Sequence, residues 1–236
     1  MTSRVCEVLL LGEIMEKLKV VYEDNHVIVV IKPSGVPSQA DKSGDIDMLT
    51  LVKGYIKEKY NKPGAVYLGL VHRLDRMTSG LMVFAKTSKA ASRLSNNIRE
   101  GDLKKEYLAA VTGKLEGNGE LQNYLFKDER TNTSIVVPET KKNAKLAKLE
   151  YKVICSTSYK DKEYTYVRIK LYTGRHHQIR VQFSNIGHPL YGDVKYGGIK
   201  GDLALIACSL KFIHPTKDEF MEFEYMPEKT GIWRDI

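Results

Sequence analysis

Covalent and metal scaffolding are scarce in this sequence. Its three cysteines, Cys6, Cys155 and Cys208, lie far apart and carry no Cys-x-x-Cys or Cys/His spacing. That excludes a disulfide framework and a structural zinc site, and makes a reducing cytoplasm the expected compartment. Long hydrophobic runs are missing too. A membrane helix needs about 20 apolar residues, and the apolar patch Val8 to Leu11, between Glu7 and Glu13, is neither a span nor a signal peptide. His176, His177 and His188 have no carboxylate among them and no His-Glu-x-x-His order, so no metal and no cofactor is expected. A Gly-x-Ser-x-Gly elbow is absent, and the glycine-rich stretch from Pro189 to Gly198 lacks both GxGxxG order and a GK[ST] ending. The His-Arg-Leu-Asp at 72–75 is no kinase loop: the aspartate is displaced by one residue, the downstream asparagine is missing, and no Asp-Phe-Gly exists.

What is abundant is positive charge. Lys and Arg number 37 against 29 Asp and Glu, a net +8 with a pI near 9.2, which suggests a polyanionic partner such as nucleic acid. Apolar content of 42% and charged content of 28% are ordinary for a soluble globular chain, and 236 residues can bury a substantial core. Residues 1–18 read as an N-terminal extension and 19–236 as one domain. Neither an internal repeat nor a linker interrupts it.

Along the chain, Lys19 to Pro33 gives two β-rich runs around Glu23-Asp24-Asn25, a hairpin pattern. Asp45 or Asp47 is placed to cap a helix whose apolar stripe is Met48, Leu51, Val52, Tyr55 and Ile56. Val66 to Val71 reads as a strand, as does Leu81 to Ala85. Ser88 is expected to cap a helix to Glu100, closed by Gly101. Lys104 to Val111 is a further strand, with Tyr107 at its entry. Residues 112–150 show little pattern and carry the lysine cluster 141, 142, 145 and 148, which reads as a solvated face. Strands at 149–155 and 164–172 precede a helix opening over Thr173 to Arg180, and two last strands fall at 204–212 and 219–225. Strands outnumber helices and most connections resemble hairpins. The expectation is an α+β fold, a mixed but mostly antiparallel central sheet flanked by helices and loops.

Two stretches concentrate unusual residues. In VHRLDRMTSGLMVFAK, residues 71–86, Asp75 stands between Arg73 and Arg76 with His72 close behind, at the mouth of a short apolar strand. Neighbouring guanidinium groups favour an ionised carboxylate, and a loop feeding a core strand can aim a catalytic side chain. By spacing alone the same residues also suit an ion-pair cluster at a loop end. The second stretch holds Arg175, His176, His177 and Arg180, with His176 and Arg180 on one helix face. Positive groups at a helix N-terminus oppose its dipole and call for an anion or a carboxylate; Asp75 is a candidate.

The blocks HRLD with TSG and Ala-Lys (72–86), KEYLAAVTG (105–113), LYTGRHHQIRVQ (171–182) and GHPLYGDVKYG (187–197), with YEDNHVIVVIKPSGVPS ahead of them, resemble the RluA family of RNA pseudouridine synthases. The resemblance covers roughly residues 19–225 and implies a catalytic domain over 19–236 with RNA lying across a basic cleft. It gives Asp75 the place of the catalytic aspartate and Tyr107 that of the tyrosine stacked on the target base, proposed to act in proton removal from C5. Arg180 takes the place of the basic residue that pairs with the aspartate. Arg73 matches an arginine that helps occupy the space left by the flipped nucleotide, and Ile179 an apolar position beside the uracil. His72, Arg76, Arg175 and His176 complete the expected substrate-binding set. Two departures stand out: His177 occupies a position usually Thr or Ser, and the chain begins almost directly at the catalytic domain, without the additional N-terminal RNA-binding domain of many relatives.

The implied reaction breaks the N1–C1′ bond, turns the base, and joins C5 to C1′, without redox change and without a cofactor. Asp75 either adds to C1′ or takes the C2′ proton. The expected partner is ribosomal or transfer RNA, acted on by a cytoplasmic monomer that needs neither a membrane nor another protein. Two other readings remain open at this point: a non-catalytic RNA-binding module, and a glycoside hydrolase using Asp75 with a second carboxylate such as Asp193.

Overall fold

A computed structural model of the protein describes residues 18–236. The expected N-terminal extension, apart from Leu18, lies outside the described residues. The described chain divides into two compact units, one holding residues up to Leu103 together with Lys211–Phe223, the other Lys104–Leu210 together with Glu224–Ile236.

In the first unit, β1 (Lys19–Glu23) and β2 (Val27–Lys32) form the expected antiparallel hairpin. The turn works without an Asn-Gly pair because one carboxylate oxygen of Asp24 accepts from the amides of both His26 and Val27, each at 2.8 Å. β2 pairs with β4 (Ser79–Ala85), and both are buried nearly throughout, which explains their continuous apolar runs. The strand expected over Val66 to Val71 shrinks to β3 (Gly69–Leu70). α1 (Met48–Lys59) is capped by Asp47, whose carboxylate takes the Thr50 amide at 3.1 Å, while Asp45 is engaged by Arg76. α2 (Ser88–Glu100) ends at Gly101, whose φ of 82° is the left-handed conformation that glycine permits. Its cap is Thr87, not Ser88: the Thr87 hydroxyl oxygen accepts from the Ala90 amide at 3.1 Å.

The second unit is built on long antiparallel strands. β5 (Lys104–Thr112), β9 (Lys162–Leu171), β8 (Lys145–Tyr159), β6 (Gly119–Asp128) and β7 (Thr133–Val137) neighbour one another in that order. Residues 112–150 are therefore a β6–β7 hairpin leading into β8, not an unpatterned segment. Their inward positions are few, so the alternation that marks a half-buried strand is diluted by polar residues. α3 (Gln178–Asn185) packs on this sheet through Val181 against Leu125 and Ala147. β10 (Leu205–Ile213) begins in this unit and ends in the first, where the Lys211–Phe223 segment also carries nearly all of its pairing partner β11 (Phe220–Glu224). With strands far outnumbering helices and every registered pair antiparallel within the units, the α+β expectation is met.

Candidate active site

Asp75 stands on a turn between β3 and β4. Its carbonyl accepts from the Thr78 amide at 3.0 Å, closing the turn directly ahead of β4. The segment Lys32 to Ser38 then grips this turn from the other side. Ser38 Oγ donates to the Leu74 carbonyl at 2.7 Å and accepts the Leu74 amide at 3.1 Å. The carbonyl of Arg76 takes the Gly35 amide at 3.0 Å and the Lys32 ammonium at 2.7 Å. His72 is buried below, its Nε2 accepting the Val83 amide of β4 at 3.1 Å, so the imidazole anchors the loop on the core strand. Backbone on both sides of Asp75 is therefore fixed, while Asp75 itself is only half-buried.

Lys32 is the unexpected member of this group. It is fully buried, and its Nζ donates to three carbonyls, those of Pro33, Val36 and Arg76, at 2.9, 2.6 and 2.7 Å. Burial pushes its ammonium down to about 7, against the pull of the Asp75 carboxylate, which favours the charged form. The sequence hint is a lysine ending an apolar run just before a proline, where a bent loop turns several carbonyls inward.

Arg76, next to Asp75 in the chain, is tied by its side chain to the loop ahead of α1. Its guanidinium turns to Asp45 and Ser43, with Asp41 at 3.6 Å. Arg73 is exposed.

In the second unit, Tyr107 is buried on β5 opposite Ile169 of β9. Ile179 is buried on α3. Arg180, also buried, holds Asp193 bidentately, Nε and Nη2 meeting the two carboxylate oxygens at 2.7 and 2.6 Å. The Tyr196 ring lies 5.1 Å from its guanidinium carbon. Sequence reasoning missed this role of Asp193. The glycine-rich loop that carries it, ending in a short 3-10 turn over Val194–Tyr196, exists to bring that carboxylate and Tyr196 onto α3. An Asp193 that is buried and pinned by two charge-assisted bonds is not a second carboxylate free to activate water, so the hydrolase reading loses its partner residue.

The stretch before α3 also differs from expectation. The helix starts at Gln178, so Arg175 and His176 precede it and His176 shares no helix face with Arg180. His177 caps the helix in the left-handed region, φ 51° and ψ 27°, an uncommon conformation for a residue with a side chain. Its Nδ1 lies 2.8 Å from the Tyr196 hydroxyl, and its ring stacks on His176 at 3.8 Å. His176 Nδ1 meets Ser134 Oγ at 3.0 Å. Burial and then the Arg180 charge drive His177 down to about 2, and burial with the Lys127 and Arg180 charges drives His176 to about 4. Both rings are neutral near pH 7, so the positive charge of this stretch resides in Arg175 and Arg180. Arg175 is exposed, its Nε donating to the Leu146 carbonyl at 2.8 Å. Among the described residues, no group of three or more His, Cys, Asp or Glu gathers to hold a metal ion, and no helix is long and apolar enough to cross a membrane.

Residues 26–185, which include Asp75, Tyr107 and Arg180, match the family model described as RNA pseudouridylate synthase. A protein of Aquifex aeolicus named as an uncharacterized RNA pseudouridine synthase is 34% identical over 90% of this chain and 70% of its own length. The ribosomal large subunit pseudouridine synthase D of Nitrosomonas europaea is 33% identical over 88% of this chain, which spans 61% of that relative. Synthase C of Vibrio parahaemolyticus is 34% identical over 86% of this chain and 64% of its own. Among solved structures, human RNA pseudouridylate synthase domain containing 1 superposes with a TM-score of 0.75 at 26% identity, covering 92% of this chain and 86% of that one. With a match over more than half its length, and with relatives above 30% identity, the chain belongs to the RNA pseudouridylate synthase family.

Proposed function

We propose that this protein converts uridine to pseudouridine within ribosomal or transfer RNA, as a cytoplasmic monomer whose two compact units serve one catalytic domain. The observation that carries the reading is the family match over residues 26–185, joined to a turn in which Asp75 is held by flanking backbone and left half-buried. In the reaction the N1–C1′ bond breaks, the base turns, C5 bonds to C1′, the C5 proton leaves, and N1 gains one. Atoms and electrons balance without an oxidant or reductant. Asp75 is the carboxylate that acts on the ribose, either at C1′ or on the C2′ proton. Tyr107 and Arg180 take the roles that the family resemblance gives them, base stacking with C5 proton handling and steadying of the anionic centre. Positioned proton transfer of this kind contributes roughly 10²–10⁴ in rate. Extruding the uridine costs a few kcal/mol, which basic surface and an aromatic platform offset.

Pseudouridine mapped across total RNA from cells with and without the gene tests the reading and names the site. One or a few uridines should lose modification when the gene is absent, and identical maps would refute the activity. With purified protein, Asp75→Asn and Asp75→Ala should abolish turnover while RNA affinity stays within about threefold of wild type. Appreciable turnover in either variant would remove Asp75 from its role. RNA binding with no modified uridine from the wild-type protein would favour a binding module instead.

A further inference from the structure

The second unit holds a cleft of about 410 Å³ where the β6–β7 hairpin meets the turn between β9 and α3. Its walls include Phe126, Lys127, Glu129, Lys145, Arg175 and His176, whereas Tyr107, Ile179 and Arg180 take no part in it. The volume suits a nucleotide-sized ligand. Lys127 is neutralised by Glu129 at 2.6 Å, and His176 is uncharged near pH 7. The net charge of the walls therefore comes from Lys145 and Arg175, and the Lys141 ammonium lies 5.5 Å from the Phe126 ring centre. Arg175 is oriented: its amide donates to Gln178 Oε1 at 3.0 Å and its Nε to the Leu146 carbonyl at 2.8 Å. The opposite wall is stiffened by Ser134 Oγ, which donates to the His176 carbonyl at 2.7 Å. Space over Gly174 is open, since a side-chain carbon built there would meet nothing within 4 Å. Two residues before Gly174, the half-exposed Tyr172 ring has the ammonium groups of Lys170 and Lys148 at 4.8 and 5.5 Å, Lys148 being matched by Glu120 at 2.9 Å so that Lys170 supplies the net charge beside the ring.

We propose that this cleft binds a phosphodiester and ribose of the RNA at a nucleotide other than the one isomerised, with Tyr172 offering its ring to a neighbouring unpaired base. The inference rests on the RNA reading above and adds a second contact to it. Cations without a matching carboxylate select a polyanion. An aromatic ring beside an ammonium group suits unpaired nucleotides, because every base presents a π-face while the phosphates meet Lys170 and the Lys145 and Arg175 of the cleft.

Binding of a fluorescein-labelled large-subunit rRNA fragment, titrated across a range of KCl concentrations, tests it without turnover. Lys145→Gln and Arg175→Gln should each weaken binding several-fold, and each should lower the slope of log K against log salt by about 0.7, the value for one lost phosphate contact on a single strand. Tyr172→Ala should weaken binding roughly fivefold or more with the slope unchanged, as loss of a stacked base does. Lys160→Gln, at the exposed β8–β9 turn, serves as the charge control. The inference is overturned if the Lys145 and Arg175 variants keep the wild-type slope, if Lys160→Gln shifts it equally, or if poly-glutamate displaces the RNA in a Lys145-dependent way, which would assign the cleft to an acidic protein. A wild-type protein that binds with these slopes yet modifies nothing would sink the activity and leave the cleft standing. Full activity with unaltered slopes would do the reverse.

Discussion

Replacing Asp193 with asparagine probes a buried ion pair of the second unit. The change keeps the shape of the side chain and removes its charge, so it weakens two charge-assisted bonds, 2.7 and 2.6 Å, to a guanidinium that is itself buried. Losing one partner of a buried pair costs about 3–5 kcal/mol. For a chain of this length each kcal/mol lowers Tm by about 2–4 °C, so the melting temperature should fall by roughly 6–20 °C. The single tryptophan, Trp233, stacks on Tyr166 within the same unit at 5.9 Å, so its fluorescence reports the unfolding of that unit in urea or heat. Arg180→Met with Asp193→Leu should destabilise by clearly less than the sum of the single changes, because apolar residues in place of a whole buried pair are often tolerated. A loss below about 1 kcal/mol in Asp193→Asn, or strict additivity in the double variant, would refute the assignment of Asp193 as the anchor of α3.

Lys32→Met strips the donor from the Pro33 and Val36 carbonyls, while the Arg76 carbonyl keeps the Gly35 amide. Two unsatisfied acceptors cost roughly 2–6 kcal/mol in urea unfolding, and kcat should fall as the Asp75 turn loosens; unchanged stability would count against the ammonium cage. Acid sensitivity should follow the histidines before α3. Unfolded histidines bind protons below about 6.5, which the folded chain refuses until about 4 at His176 and about 2 at His177, so stability is lost as pH falls through that window. His177→Asn, which tolerates the left-handed conformation, should make the fall in Tm between pH 7 and 4.5 shallower, and an unaltered pH profile would contradict the neutral-histidine assignment.

The apolar runs of β2 and β4 could be read directly, because a strand buried on both faces needs no partner to make its residues hydrophobic. The placing of Asp75 on the turn ahead of β4 followed from the same pattern. Cap positions were legible to within a residue, as Thr87 against Ser88 shows, since either hydroxyl can serve and only backbone geometry chooses. The β6–β7 hairpin escaped notice because its strands alternate weakly, one face taking α3 and the other carrying charge.

Sequence alone determined which residue types could do the chemistry and in what order they come, because propensity, periodicity and motif spacing are local properties. Tertiary structure decided the partners: Arg76 with Asp45, Arg180 with Asp193, Lys32 beneath the Asp75 turn, and two histidines kept neutral. Charge pairing and burial depend on distances between residues remote in the chain, and those are fixed only when the core closes.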